Sequence, residues 1–200
     1  MRLHYTTNSP FARKVLMTAH EVGVNDLIER TVSNPWNEEN QAAAVNPAGK
    51  VPALVLDDGL ALYDSPVICE YLDNLGQASS IFPAAGIERW RALQRQALGD
   101  ALLDAMIARR LESRRPDNER SEGWIARQVL SVNRCLDAME ADASELSEQP
   151  TIGHIAYFCA LAHLDFRFAD ENWRPGRPKL EAWFATFESR PSAQSTIPHD

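Results

Sequence analysis

Residues 46–66 read NPAGKVPALVLDDGLALYDSP, and the fold is decided here. Asp57-Asp58-Gly59 is a turn signal between two short apolar runs, Val51–Leu56 and Leu60–Tyr63, so the segment is predicted to be a β-hairpin. In front of it, Asn46-Pro47-Ala48-Gly49-Lys50-Val51-Pro52 carries two prolines and a glycine, a turn that delivers the chain into the first strand. Behind it, Asp64-Ser65-Pro66 is a helix start, with Pro where a missing N–H costs nothing. Val67, Ile68, Tyr71, Leu72 and Leu75 then fall at helical spacing up to Gly76.

Upstream, Met1–Thr6 reads as a strand with Leu3 and Tyr5 on one side. From Pro10 the period changes to that of a helix, with Phe11, Val15, Ala19 and Val22 on one face and Gly23 as its stop. Leu27–Val32 is a second strand. Asn34-Pro35-Trp36 and a polar, irregularly helical stretch to Val45 follow. Residues 1–76 are therefore predicted to be βαβαββα, a thioredoxin-like α/β arrangement. Residues 77–86, QASSIFPAAG, form a linker of mostly small residues. Everything from 87 to 200 reads as helix, an all-α second domain. Ile87–Arg115 is long and amphipathic. Ile125, Val129, Val132, Leu136 and Met139 repeat at spacings of four and three. Ile152–Phe168 is apolar nearly all round and should be the buried central helix. A last helix should begin near Lys179, anchored by Leu180, Trp183, Phe184 and Phe187.

A chain of 200 residues is long enough for two domains, and 44% hydrophobic with 24% charged residues is ordinary for a globular protein. Twenty basic against 28 acidic residues leave a net charge of −8, which argues against nucleic acid or an anionic membrane as partner. The one basic cluster, Arg109, Arg110, Arg114 and Arg115, precedes Pro116, where cations complement the negative end of a helix. Cys69, Cys135 and Cys159 are odd in number and lack CxxC spacing, which fits a reducing compartment. No apolar run reaches the ~18–20 residues of a membrane span, and MRLHYTTNSP has no apolar signal segment, so a cytoplasmic location is expected. His4, His20, His163 and His199 show no metal-ligand spacing with the cysteines or with one another, so no metal is expected.

Three short segments carry the chemistry. Ser9-Pro10, taken alone, is an N-cap and nothing more. At the first strand–helix junction of a βαβαββα domain, however, the helix N-terminus faces solvent, and a sulfur anion placed there is stabilised. Lowering a thiol pKa from ~8.5 to ~6.5 takes about 2.7 kcal/mol. A helix N-terminus offers roughly 0.3–2 kcal/mol and a hydrogen bond to a charged group ~1.5–3 kcal/mol, so the two suffice without a basic residue. Ser9 would act as a hydroxyl donor to a bound thiolate. It cannot form a mixed disulfide, which favours addition and substitution over thiol–disulfide exchange. Val51-Pro52 leaves the isomer open, since only ~5–6% of X–Pro bonds are cis. In the cis form Val51 would offer its N–H and C=O to an extended peptide; otherwise the segment is a structural turn. At Asp64-Ser65, backbone N–H groups and the Ser65 hydroxyl can hold a carboxylate and Asp64 an ammonium group, or the segment simply caps its helix.

Together, S-P-F-A-R-K after the first strand, N-P-x-G-K-V-P before the third and D-S opening the third helix resemble the glutathione transferase family in identity, order and spacing. QALGDALLDAMIARR and PTIGHIAYFCALAHLDFRFAD through WRPGRPKLEAWFATFESRPSAQ are similar to its helical half, so the resemblance covers nearly the whole chain. It implies Ser9 as thiolate donor, with Thr7 and Asn8 as alternative donors. It also implies Val51 with Pro52 for backbone pairing, Asp64 and Ser65 for the γ-glutamyl end, and Lys50 toward the glycyl carboxylate. Glutathione would be co-substrate, with no cofactor, and a small electrophile the second substrate. That electrophile would lie against the first helix of the second half, near Leu98, Leu102, Met106 and Arg109. A homodimer is implied, with Asp100 and Asp104 as acidic residues lent to the partner's site. Conjugation for detoxification is the implied activity, with hydroperoxide reduction as a side reaction. The family also contains binding and assembly modules without turnover; the intact tripeptide site argues against that reading. A glutathione-dependent disulfide reductase needs a cysteine near the first helix start, and none is there. One departure stands out. The family opens its central helix with S/T-x-x-D, but here Thr151-Ile152-Gly153-His154 lacks the carboxylate, an expected loss of about 1 kcal/mol.

Overall fold

The computed structural model describes residues 1–36, 41–76, 78 and 80–200. Part of the polar stretch before Val45, and Gln77 and Ser79 of the linker, lie outside the described residues. The chain divides into two compact units, Met1–Trp90 with Ser189–Asp200, and Arg91–Glu188. Residues 189–200, which the helical pattern groups with the second half, thus cluster with the first.

The first unit is built on β1 (Arg2–Tyr5), α1 (Pro10–Glu21), β2 (Glu29–Val32), β3 (Ala53–Val55), β4 (Ala61–Leu62) and α2 (Ser65–Leu75). The sheet runs β2-β1-β3-β4. β1 lies parallel to β2 and antiparallel to β3, with Leu3 opposite Arg30 on one side and Leu54 on the other. β4 returns antiparallel to β3 through the expected hairpin, whose Gly59 sits at φ +90. One boundary is revised. β2 starts at Glu29 rather than Leu27, because Asn25–Leu27 forms a 3₁₀ turn. The helical stretch before β3 is, among the described residues, a single 3₁₀ turn at Gln41–Ala44, with Ala42 as its one buried residue. Leu3 and Leu54 of the sheet, Val15, Met17 and Ala19 of α1, and Ile68 and Leu72 of α2 are fully buried and form the core. α2 ends hard against α1: a Cβ at Gly76 would sit 2.7 Å from that of Val22.

The C-terminal segment adds α7 (Pro191–Gln194), packed on α1. Arg190 donates two hydrogen bonds to Glu21, at 3.0 and 2.8 Å, and the Ser192 hydroxyl donates a third. Burial alone would raise the Glu21 carboxyl; these hydrogen bonds and the Arg190 charge outweigh it and hold the group below the ordinary glutamate value. The unfolded chain therefore binds more protons there than the folded one. The contribution is complete above the ordinary carboxylate range and is lost as pH falls through the folded value. Urea midpoints measured from pH 7 downward should fall less steeply for Glu21→Gln than for the wild type.

The second unit holds most of α3 (Gly86–Ser113), with α4 (Glu122–Asp142), α5 (Ile152–Arg167) and α6 (Pro178–Glu188). α5 is buried on nearly every side, the central helix that its composition predicts. It meets α3 at two glycines. A Cβ on Gly99 would lie 2.8–2.9 Å from Ala156, and one on Gly153 would run into the Arg95 side chain. Gly99→Ala should accordingly cost about 1–3 kcal/mol through overpacking, despite alanine's better helix propensity; the urea midpoint reads it. Arg95 holds Asp142 at 2.6 and 2.8 Å, and the Tyr157 hydroxyl donates to the same carboxylate at 3.3 Å. Burial first, then the Asp142 charge, push the Tyr157 phenol up. Glu140 of α4 accepts from the amides of Lys179 and Leu180 at 3.2 and 2.7 Å, which closes the start of α6. The α5 cap keeps a reciprocal bond without a carboxylate. His154 Nδ1 accepts from the Thr151 N–H at 3.1 Å and completes a capping box. A ring nitrogen thus takes the acceptor position that a carboxylate would hold.

Candidate functional site

Strand register brings the three chemical segments to one end of the first unit. His4 pairs with Ala53, so the next residues of β1 run beside Pro52 and Val51. Leu54 pairs with Leu62, so Tyr63 and Asp64 emerge on the far side of Pro52. Two strand spacings of ~4.8 Å separate the chain leaving β1 from the chain leaving β4, about 10 Å in all. An extended tripeptide spans about the same distance. α1 and α2 both begin at this end, because each follows directly on its strand.

Ser9 is the N-cap of α1, with Pro10 at the first helical position. Its Oγ accepts from the Ala12 N–H at 3.2 Å, and its carbonyl from the Arg13 N–H at 2.9 Å. Using the Oγ as acceptor leaves the hydroxyl hydrogen to be donated, and the bond to the helix amide polarises it further. Ser9 is half-buried, as are Thr7 and Asn8. Asn8 is the more constrained of these neighbours: its Oδ1 accepts from Thr6 Oγ1 at 3.2 Å, and its Nδ2 donates to Asp200 at 3.2 Å.

Val51 is half-buried, Pro52 is buried and the bond between them is cis. Sequence reasoning missed what steadies this turn. Asn46 is 2% exposed; its Nδ2 donates to the Lys50 carbonyl at 2.9 Å and its Oδ1 accepts from the Ala48 N–H at 3.0 Å. Gly49, at φ +63, makes the bend between those two anchors. The Asn-Pro dipeptide was the available signal, since an asparagine before proline initiates turns. The Lys50 side chain points into solvent, exposed.

Asp64 and Ser65 behave differently from Ser9. Asp64 occupies the N-cap of α2 without a side-chain cap hydrogen bond and is exposed, so its carboxylate remains available to an ammonium group. Ser65 is 1% exposed at the first helical position.

The second-unit candidates are a mixed set. Leu102 and Met106 are 0% exposed, so they are core residues and not substrate contacts, a correction to the sequence expectation. The Arg109 guanidinium is engaged by Glu171 and stacks 4.6 Å from the Phe168 ring. Leu98 and Asp100 are half-buried and Asp104 is exposed. All three cysteines are buried and outside any disulfide; Cys69 accepts from Thr18 Oγ1 at 3.3 Å, and burial pushes the Cys135 thiol up. Among the described residues, no three His, Cys, Asp or Glu side chains gather as a metal ion requires, and no helix is long and apolar enough to cross a membrane.

Models of the glutathione S-transferase N-terminal and C-terminal domains match residues 8–75 and 122–186. Across 201 aligned residues the chain is 33% identical to the uncharacterized GST-like protein YibF of Escherichia coli (strain K12), covering 99% of this chain and 98% of that one. A glutathione transferase family member from Pseudomonas fluorescens Pf-5, crystallised with bound glutathione, superposes with a TM-score of 0.94 at 36% identity, over 100% of this chain and 99% of that one. A glutathione S-transferase from Methylobacillus flagellatus KT with glutathione bound gives 0.94 at 32% identity over 99% of each chain. With both domain models matched and these relatives covered from end to end, the chain belongs to the glutathione S-transferase family.

Proposed function

We propose that the protein is a glutathione transferase that joins the glutathione sulfur to small electrophiles. The observation that carries this reading is the convergence of Ser9, Val51 and Asp64–Ser65 at the end of the sheet where α1 and α2 begin. The γ-glutamyl end sits at α2, its ammonium on Asp64 and its carboxylate on the backbone amides and Ser65. The peptide middle pairs with the Val51 N–H and C=O, and Lys50 faces the glycyl carboxylate. The sulfur then lies at the start of α1, where the helix N-terminus and the Ser9 hydroxyl favour the thiolate. The thiolate attacks an electrophilic carbon, displacing a leaving group or adding to a double bond, and the protein supplies activation and proximity. The same thiolate would reduce organic hydroperoxides. We place the enzyme in the cytoplasm, in detoxification, and as a homodimer, which would cover part of the exposed Tyr63, Val67, Ile87 and Trp90 of the first unit. A pure assembly role is disfavoured because it would not need an available carboxylate at Asp64. The test is calorimetric titration with glutathione followed by turnover with a chromogenic aryl halide. Micromolar to millimolar binding with saturable turnover is expected, and no heat of binding at millimolar glutathione would refute the assignment.

A further inference from the structure

The residues that close the first unit, SRPSAQSTIPHD, run back along α1 from its end to its beginning. Arg190 and Ser192 grip Glu21, the last residue of the helix. Ser195 Oγ lies 3.1 Å from His20 Nε2. Nearer the start, the buried Arg13 donates to the Ala193 carbonyl at 3.1 Å and to Thr196 Oγ1 at 3.4 Å. At the start itself, the His199 N–H donates to the Thr7 carbonyl at 3.4 Å and Asp200 accepts from Asn8 Nδ2 at 3.2 Å. A 12-residue helix is about 18 Å long, so the segment is a strap over the full length of α1. Its last two contacts fall on the loop that presents Ser9.

We infer that Asp200 is a positioning residue: by holding the Asn8 amide it sets the Thr6–Ser9 loop, and with it the direction of the Ser9 hydroxyl. The inference rests on the glutathione reading above. The loop has few bonds of its own, the Ser9 N–H to the Thr6 carbonyl at 3.2 Å and the Thr6 hydroxyl to Asn8 Oδ1 at 3.2 Å. The latter fixes the amide only from its oxygen side. A carboxylate has no hydrogen to give, so Asp200 fixes the nitrogen side. Ser9 follows immediately. A hydroxyl donor that is held in place favours the thiolate more than one that must be ordered on each binding event.

The full-length protein and its Asp200→Ala and Asp200→Asn variants distinguish this arrangement from a passive tail. Asparagine keeps an oxygen that accepts from Asn8 and removes only the charge. Hydrogen exchange of the 6–12 segment is followed with and without saturating glutathione, alongside kcat and KM for an aryl halide. For Asp200→Ala, faster exchange of the segment and weaker protection by glutathione are expected. In the same variant kcat should fall about 3–10-fold, the worth of roughly one hydrogen bond, with KM for glutathione within about twofold. Asp200→Asn should match the wild type. Wild-type exchange and kcat in Asp200→Ala would overturn the inference and leave the glutathione reading intact, as would faster exchange with kcat unchanged. An asparagine variant as impaired as the alanine one would show that the charge acts and not the contact, and would also overturn it. A wild-type segment that glutathione does not protect at all removes the functional reading itself and the inference with it.

Discussion

Ser9→Ala should lower kcat/KM for conjugation by about 10–100-fold, with most of the loss in kcat and little change in glutathione affinity. A hydrogen bond to a charged group is worth ~1.5–3 kcal/mol, and each ~1.4 kcal/mol is tenfold in rate. The loss falls on kcat because the donor acts on the thiolate, while the binding contacts at Val51, Asp64 and Ser65 stay intact. The substitution also removes the cap bond to the Ala12 N–H, at 3.2 Å, which costs about 1 kcal/mol of stability. Ser121→Ala separates the two effects, since Ser121 caps α4 with the same geometry, 3.2 Å to the Trp124 N–H, in the second unit. It should lose comparable stability and keep its turnover. Steady-state kinetics on all three proteins, beside their urea midpoints, decides the matter. Equal activity of Ser9→Ala and wild type would move the donor role to Thr7 or Asn8.

Asp64→Ala should do the opposite: raise KM for glutathione by about 5–20-fold and leave kcat within about twofold. The pair it would make with the γ-glutamyl ammonium is made equally in ground and transition states, so its loss appears as binding. About 1–2 kcal/mol is the expected size, because Asp64 is exposed and solvent screens the charge. Stability should change little, since Asp64 makes no side-chain cap to its own helix. Calorimetric affinities for glutathione and for a thiol-less analogue should fall together; a variant that binds glutathione as tightly as wild type would take the γ-glutamyl end away from α2.

Much of this was legible because the signals are local. Asp57-Asp58-Gly59 specifies its hairpin through a backbone only glycine adopts easily, and Ser9-Pro10 and Asp64-Ser65-Pro66 specify helix starts within four residues. The lengths of helices turned on burial, which is not local. Among the described residues Gln41–Ala44 is a 3₁₀ turn with Ala42 alone buried, which the polar sequence around it does not single out. Leu102 and Met106 were read as pocket residues because an apolar stripe is the same pattern whether it meets a substrate or a neighbouring helix; their complete burial decides for the latter. At Thr151 the missing carboxylate was legible, but that a ring nitrogen of His154 would accept in its place depends on the orientation of the ring, which no spacing rule gives. The Asn8–Asp200 contact joins residues 192 apart, and no periodicity or spacing rule reaches that far.

The most direct test is to titrate the sulfur of bound glutathione by its ultraviolet thiolate absorbance, in wild type and in Ser9→Ala. At the start of α1 the wild-type thiol should ionise near pH ~6.5, about two units below a free thiol, and the variant should recover much of that difference. A bound sulfur that ionises where it does in free glutathione would contradict the placement of the thiolate at this helix.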